Sequence, residues 1–183
     1  MVEITVVLVI ILGLAALVTP GVLGRLDQSR VEASAKSLSG ITTAIHDPSR
    51  GGGSFRRHVG VYPRAVSHLT RQISVTDANI CGVPYTLTEI AGWNGPYLNR
   101  RVAGTGVLIA IGMVRDTMSR DPAIGGTAPV LRIHVDSVAI EDAAALDERV
   151  DGVRDSLAGS VKWGPIDAEG FVTVDYLMPV KGC

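Results

Sequence analysis

The sequence predicts an α+β fold: one long N-terminal α-helix whose C-terminal half packs against an antiparallel β-sheet. Three observations predict it. Residues 1–23 are an almost unbroken apolar run in which Glu3 is the only charged side chain. Leu26, Val31, Ala35, Leu38, Ile41 and Ile45 then recur at helical spacing among Asp27, Arg30, Glu32 and Lys36, one apolar stripe on a polar helix. From residue 105 onward the chain holds short segments in which apolar and polar residues alternate.

The leading run comes first. At about 1.5 Å rise per residue it covers roughly the 30 Å hydrocarbon core of a bilayer. A carboxylate inside such a run costs about 2.5–3.5 kcal/mol at bilayer depth, so Glu3 is a functional candidate. A secretory signal peptide fits poorly, because no Lys or Arg precedes Arg25. Pro20, Gly21 and Gly24 lie where the run meets the amphipathic stripe. Proline removes a hydrogen bond and glycine weakens a helix by about 1 kcal/mol, so a soft joint is expected there. The helix, roughly 45 residues long, should stop at Asp47-Pro48, because the residue before a proline is pushed out of the α region.

Residues 49–58 read as a flexible basic loop, Ala65 to Ile73 as a short helix and Cys81 to Pro84 as a turn. Val107–Ile111, Val130–Val135, Gly159–Trp163 and Phe171–Leu177 read as strands, with Leu131, Ile133 and Val135 opposite Arg132, His134 and Asp136. Ile140 to Val150 reads as a helix that Gly152 can end. The chain therefore divides into a hydrophobic helix half, 1–24, and a head, 25–183. The head comprises an amphipathic helix half (25–47), a loop region (48–104) and a sheet region (105–183) laid over the stripe.

Composition narrows the function. The net charge of −1, from 17 basic and 18 acidic residues, gives no reason to expect a nucleic-acid partner. Cys81 and Cys183, an even pair behind a membrane-targeting segment, suggest an extracytoplasmic disulfide; the rival, a metal site, needs further ligands at close spacing, and none are nearby. His46, His58, His68 and His134 form no zinc-helix pair, and His134 reads as a solvated histidine. Gly51-Gly52-Gly53-Ser54 lacks the lysine of a phosphate loop. Arg50, Arg56, Arg57 and His58 around Phe55 read as a solvated cluster. No Gly-x-Ser-x-Gly occurs, Ser156 and Ser160 are ordinary loop serines, and neither an enzyme site nor a cofactor is expected.

Two motifs carry a resemblance. Met1-Val2-Glu3, the aliphatic run with Gly13, and Pro20 seventeen positions after Glu3 resemble the start of mature type IV pilins and type II secretion pseudopilins. Gly92-Trp93-Asn94-Gly95-Pro96-Tyr97-Leu98, downstream of Tyr62-Pro63, resembles a motif of major pseudopilins. The match covers about the first 100 residues and fades beyond Arg101. No Phe precedes Met1, and the resemblance implies a leader and two further mature residues ahead of it, the first methylated. It also implies the pilin fold and a homo-oligomeric filament. A prepilin peptidase and assembly machinery would process and build it. Residence would be in the inner membrane before assembly and on the cell surface after it. In such filaments the acid, here Glu3, faces a neighbouring subunit's α-amino group. Major pseudopilins also bind calcium in a C-terminal loop. Asp147, Asp151 and Asp155 are candidates for that role, but their spacing is not an EF-hand pattern and the family's ligands do not map onto them, so no metal is expected. A surface pilus is the preferred reading. A periplasmic pseudopilus of a type II secretion system is the alternative, and a membrane-anchored extracytoplasmic binding module or enzyme the third.

Overall fold

The computed structural model describes residues 2–46, 53–121 and 129–181, and in the first helix the side chains of residues 4–8, 11, 12 and 24–45. Helix α1 runs from Val2 to Ile45 as a single helix. Its C-terminal half is organised by one seam: Val31, Ser34, Leu38, Ile41 and Ile45 are buried, recurring at steps of three and four. Leu26, expected in that stripe, is instead 54% exposed, because among the described side chains of the helix the core begins at Val31. Just ahead of it, the Arg30 guanidinium donates to the Ala110 carbonyl (3.3 Å) and lies 3.6 Å from the Asp142 carboxylate. This side chain fastens α1 to two separate parts of the head.

The sheet has six antiparallel strands among the described residues: β1 (Gly106–Ile109), β2 (Gly112–Arg115), β3 (Ser119–Asp121), β4 (Val130–Ala139), β5 (Val161–Trp163) and β6 (Phe171–Pro179). Their order is β1-β2-β4-β6-β5, and β3 pairs with β4 as well. One edge of β4 is thus shared, β3 pairing with Val130–Arg132 and β2 with Val135 and Asp136. Along β4, Leu131, Ile133 and Val135 are buried while Arg132, His134 and Asp136 turn to the other face, as the alternation predicts. A bulge follows, with Ser137 at φ 56°. The extra residue returns Val138 to the buried face after a step of three.

Helix α4 (Ile140–Asp151) ends where the sequence places its stop: Gly152 is left-handed at φ 81° and its N–H returns to the Glu148 carbonyl. Ala143 and Leu146 are fully buried, and α4 packs against α1 on one side and β4, β5 and β6 on the other. The α1 seam, α4 and the inner face of the sheet close one core, in which Leu38, Ile41 and Ile45 join Val107, Val114, Leu131, Ile133, Val135 and Leu146, and β1 also approaches α1 directly.

The 48–104 region is more ordered than a loop reading allows. Phe55–Val59 forms helix α2, because Phe55 and Val59, one turn apart, are both buried. Of the expected basic loop, 49–52 lies outside the described residues, as do Arg50, Asp47 and Pro48. The expected helix at 65–73 is a 3-10 turn, Val66–Leu69. Helix α3 (Leu87–Gly92) was not expected. It opens on a capping box: the Glu89 N–H donates to Thr86 Oγ1 at 3.3 Å, and the Thr86 N–H donates to Glu89 Oε2 at 2.7 Å.

Candidate functional site

Two regions bear on function: the N-terminal half of α1 and the polar outer face of the sheet. Between them lies the segment that carries the family-like motif.

Glu3, Gly13, Pro20 and Gly21 lie in the helical stretch of α1, with their side chains outside the described residues; Gly24 has open space around it, with nothing within 4 Å of an added Cβ. The described apolar side chains of this half, Ile4, Val6, Val7, Leu8, Ile11 and Leu12, are each more than half exposed, between 52% and 70%. Among the described residues no helix is long and apolar enough to cross a membrane, most side chains of the 1–23 run lying outside that description.

The residues of the Gly92–Leu98 motif form a clasp. Trp93 Nε1 donates to the His68 carbonyl at 2.9 Å, and the Tyr97 N–H donates to the Leu69 carbonyl at 2.7 Å. The Tyr97 hydroxyl accepts from the Asn94 N–H (2.8 Å) and meets His58 Nδ1 (3.1 Å). The Tyr97 ring makes edge contacts with Phe55 and Trp93, centroids 5.7 and 5.6 Å away. Gly92 sits so close to α2 that a Cβ there would come within 2.4 Å of the His58 carbonyl oxygen. The Gly95–Pro96 bond is cis, and Gly95 is overlain by the Trp93 indole. The motif thus joins α3, the 3-10 turn and α2.

Tyr62 and Pro63 serve the same region. Both are buried, and the Tyr62 ring lies under the Arg56 guanidinium, 4.6 Å from its centroid. Arg56, expected in a solvated cluster, also donates to the Lys181 carbonyl at 3.2 Å. The Ile80 N–H donates to the Tyr62 carbonyl (3.1 Å), and the Lys181 N–H reaches the Tyr62 hydroxyl (3.5 Å). The C-terminal segment is thereby drawn against the residues that precede Cys81. Cys81 is disulfide-bonded, and Cys183, the other cysteine of the sequence, lies outside the described residues.

His68, one of the four histidines of the sequence, is a core residue. It is 4% exposed, with Nδ1 at 3.1 Å from the Tyr85 hydroxyl and Nε2 at 3.6 Å from Asp77 Oδ1. Burial pushes its pKa below the ordinary 6.5, against an upward pull from Asp77. Arg71 holds the Asp77 carboxyl well below the carboxylate range. The unfolded chain then binds a proton at His68 before the folded chain does. Stability should accordingly be full above about pH 6.5 and fall as the pH drops toward the depressed folded value, with a slope of at most about 1.4 kcal/mol per pH unit from this residue. Denaturant melts at pH 7 and 5.5 should show the loss in the native chain and a smaller one in His68→Gln.

The three aspartates considered for calcium hold the α4–β5 connection instead. The Asp155 N–H donates to Asp147 Oδ2 (2.6 Å), while the N–H groups of Ser160 and Val161 donate to Asp151 Oδ2 (2.7 and 2.9 Å). Asp147 is fully buried, and its carboxyl is pushed up by that burial and by the neighbouring Asp151, against a downward pull from the Asp155 N–H. Among the described residues no group of three or more metal-ligating side chains comes together. An open groove of about 660 Å³ between α1 and α4 is crossed by the ion pairs Arg30–Asp142 and Arg149–Glu32.

On the outer face of the sheet a polar network spans β2, β3, β4 and β6. Arg132 donates to Asp121 (2.6 Å) and Asp175 (2.8 Å), Arg115 pairs with Asp136, and the Thr173 hydroxyl donates to Asp136 (3.2 Å). His134, expected to be solvated, is only 19% exposed and lies between Asp175 and Ser119. The sequence reading missed Ser119 and Asp175. Strand alternation puts His134 on this face, but only the pairing of β3 and β6 with β4 reveals its partners. No family model, no curated protein and no solved structure matches the chain.

Proposed function

We propose that the chain is the structural subunit of an extracellular type IV pilus-like filament that assembles through the N-terminal half of α1. The observation that carries this reading is the exposure of the apolar side chains of Ile4, Val6, Val7, Leu8, Ile11 and Leu12 on a helix whose buried seam, among the described side chains, starts at Val31. Apolar surface of this extent calls for lipid or for other copies of itself. Before assembly the helix would sit in the inner membrane, and on assembly these halves would bundle, burying apolar area worth about 25 cal/mol per Å². Glu3 then enters a low-dielectric core, where it is tolerable only when paired with a positive group such as a neighbour's α-amino terminus. The Pro20–Gly24 stretch is the place where α1 would unwind to let the heads stack. The resemblance of residues 92–98 to major pseudopilins favours a second reading, a periplasmic pseudopilus.

Shearing producing cells and examining the supernatant by electron microscopy and mass spectrometry tests the proposal. Filaments built of this chain are expected, and Glu3→Ala should leave the chain in the membrane with at least a tenfold loss of sheared filament. Filaments that persist undiminished in Glu3→Ala would overturn the paired-acid assembly. A chain found only in membranes, and whose crosslinking between copies depends on Glu3, would point to the pseudopilus. Membrane residence with no Glu3 dependence would identify an anchored module.

A further inference from the structure

Ser119, His134 and Asp175 come from β3, β4 and β6, and the strand register brings their side chains to one spot on the outer face of the sheet. Ser119 Oγ lies 2.9 Å from His134 Nε2, and His134 Nδ1 lies 2.7 Å from Asp175 Oδ1. An ionised carboxylate only accepts hydrogen bonds, so Nδ1 carries the ring proton. In the neutral imidazole Nε2 is then the acceptor, and the Ser119 hydroxyl donates to it. The second oxygen of Asp175 accepts from Arg132 Nη1 at 2.8 Å, and Arg132 is itself held by Asp121 at 2.6 Å. The carboxylate therefore cannot swing away from the ring. His134 and Asp175 are about four-fifths buried, at 19% and 21% side-chain exposure, whereas Ser119 is exposed to solvent.

A hydroxyl bonded to an imidazole, whose far nitrogen is bonded to a fixed carboxylate, is the arrangement in which a serine becomes nucleophilic, and it is recognised by geometry rather than sequence order. From this geometry we propose that Ser119 is an activated nucleophile that takes the acyl group of small activated esters. His134 is its general base and Asp175 the positioning residue. In the first step Ser119 Oγ attacks the ester carbonyl carbon and its proton passes to His134 Nε2. The tetrahedral adduct collapses, the bond to the leaving oxygen breaks, and that oxygen takes the proton from His134 and departs as the alcohol or phenol. Water then follows the same route, giving its proton to His134 and freeing the carboxylic acid and Ser119. No other reactant is required.

The test uses the intact folded chain and a fluorophosphonate probe, which bonds phosphorus to the serine oxygen and releases fluoride, with the hydroxyl proton passing to His134. One adduct, mapped to Ser119 by mass spectrometry, is expected, together with release of p-nitrophenol from p-nitrophenyl acetate. Ser119→Ala should abolish both. His134→Ala should slow them at least about 100-fold, within the range general base catalysis supplies. Circular dichroism would verify that both variants remain folded, and the Ser119→Ala change removes one exposed hydroxyl only. For Asp175, the nitrogen-15 shifts of His134 should report the Nδ1–H tautomer in the native chain and a mixture in Asp175→Asn. No adduct on the folded chain, labelling as fast in His134→Ala, or equal labelling of the denatured chain would overturn the proposal and leave these residues as a purely structural network.

Discussion

Changing Cys81 to Ser should lower the stability of the head by about 4 kcal/mol. With Cys183 as the partner, the bridge closes a loop of roughly 100 residues, and in the chain-entropy account a loop of that length stabilises by about 4–5 kcal/mol. The native packing supports a large value. Tyr62, in the core, holds Ile80 through its carbonyl and Lys181 through its hydroxyl, so the residue before Cys81 and the last described residue of the chain lie against the same side chain. Urea unfolding of the native chain, of Cys81→Ser and of the native chain with reductant should give one midpoint for the last two and a higher one for the first. Equal midpoints for all three would show that the bridge constrains nothing the fold does not already fix.

Gly106→Ala should cost about 3 kcal/mol, more than any other single added methyl on the sheet. Gly106 opens β1 at φ 140°, a conformation that side chains rarely adopt, and an added Cβ would stand 1.9 Å from the Val114 carbonyl oxygen of the neighbouring strand. That oxygen is backbone within the β1–β2 ladder, where Val107 pairs with Val114 and Gly106 with Arg115. Relief requires β1 to pull away from β2. Overpacking of this kind costs about 1–3 kcal/mol, and the positive φ adds to it. Amide exchange should show the loss in Gly106–Arg115 first, and protection there equal to the native chain would refute the argument.

Much of the scaffold is legible in the residues themselves. Val31, Leu38, Ile41 and Ile45 announce the buried seam because period and burial coincide, whereas Leu26 has the period but no partner above it. Gly152 ends α4 because a left-handed stop needs a glycine there. Other features are written weakly. Gly112–Arg115 and Ser119–Asp121 are too short to show alternation, and what makes them strands is the long edge of β4. The Thr86–Glu89 capping box was readable and would have disclosed α3. The Ser119–His134–Asp175 contact is of a third kind. Its members lie 15 and 41 residues apart, and their meeting depends on strand register, which local sequence does not specify.

The position of β6 in the strand order bears on how the chain is made. It is the last strand described, yet it lies inside the sheet, between β4 and β5. A ribosome delivering the chain from its N-terminus releases the whole of α1 long before Phe171–Pro179 exists. Until then β4 lacks its main partner, and the seam from Val31 to Ile45 has no finished surface to close against. Nascent chains should therefore remain protease-sensitive until residues beyond 179 have left the exit tunnel, and the head then folds in one late step.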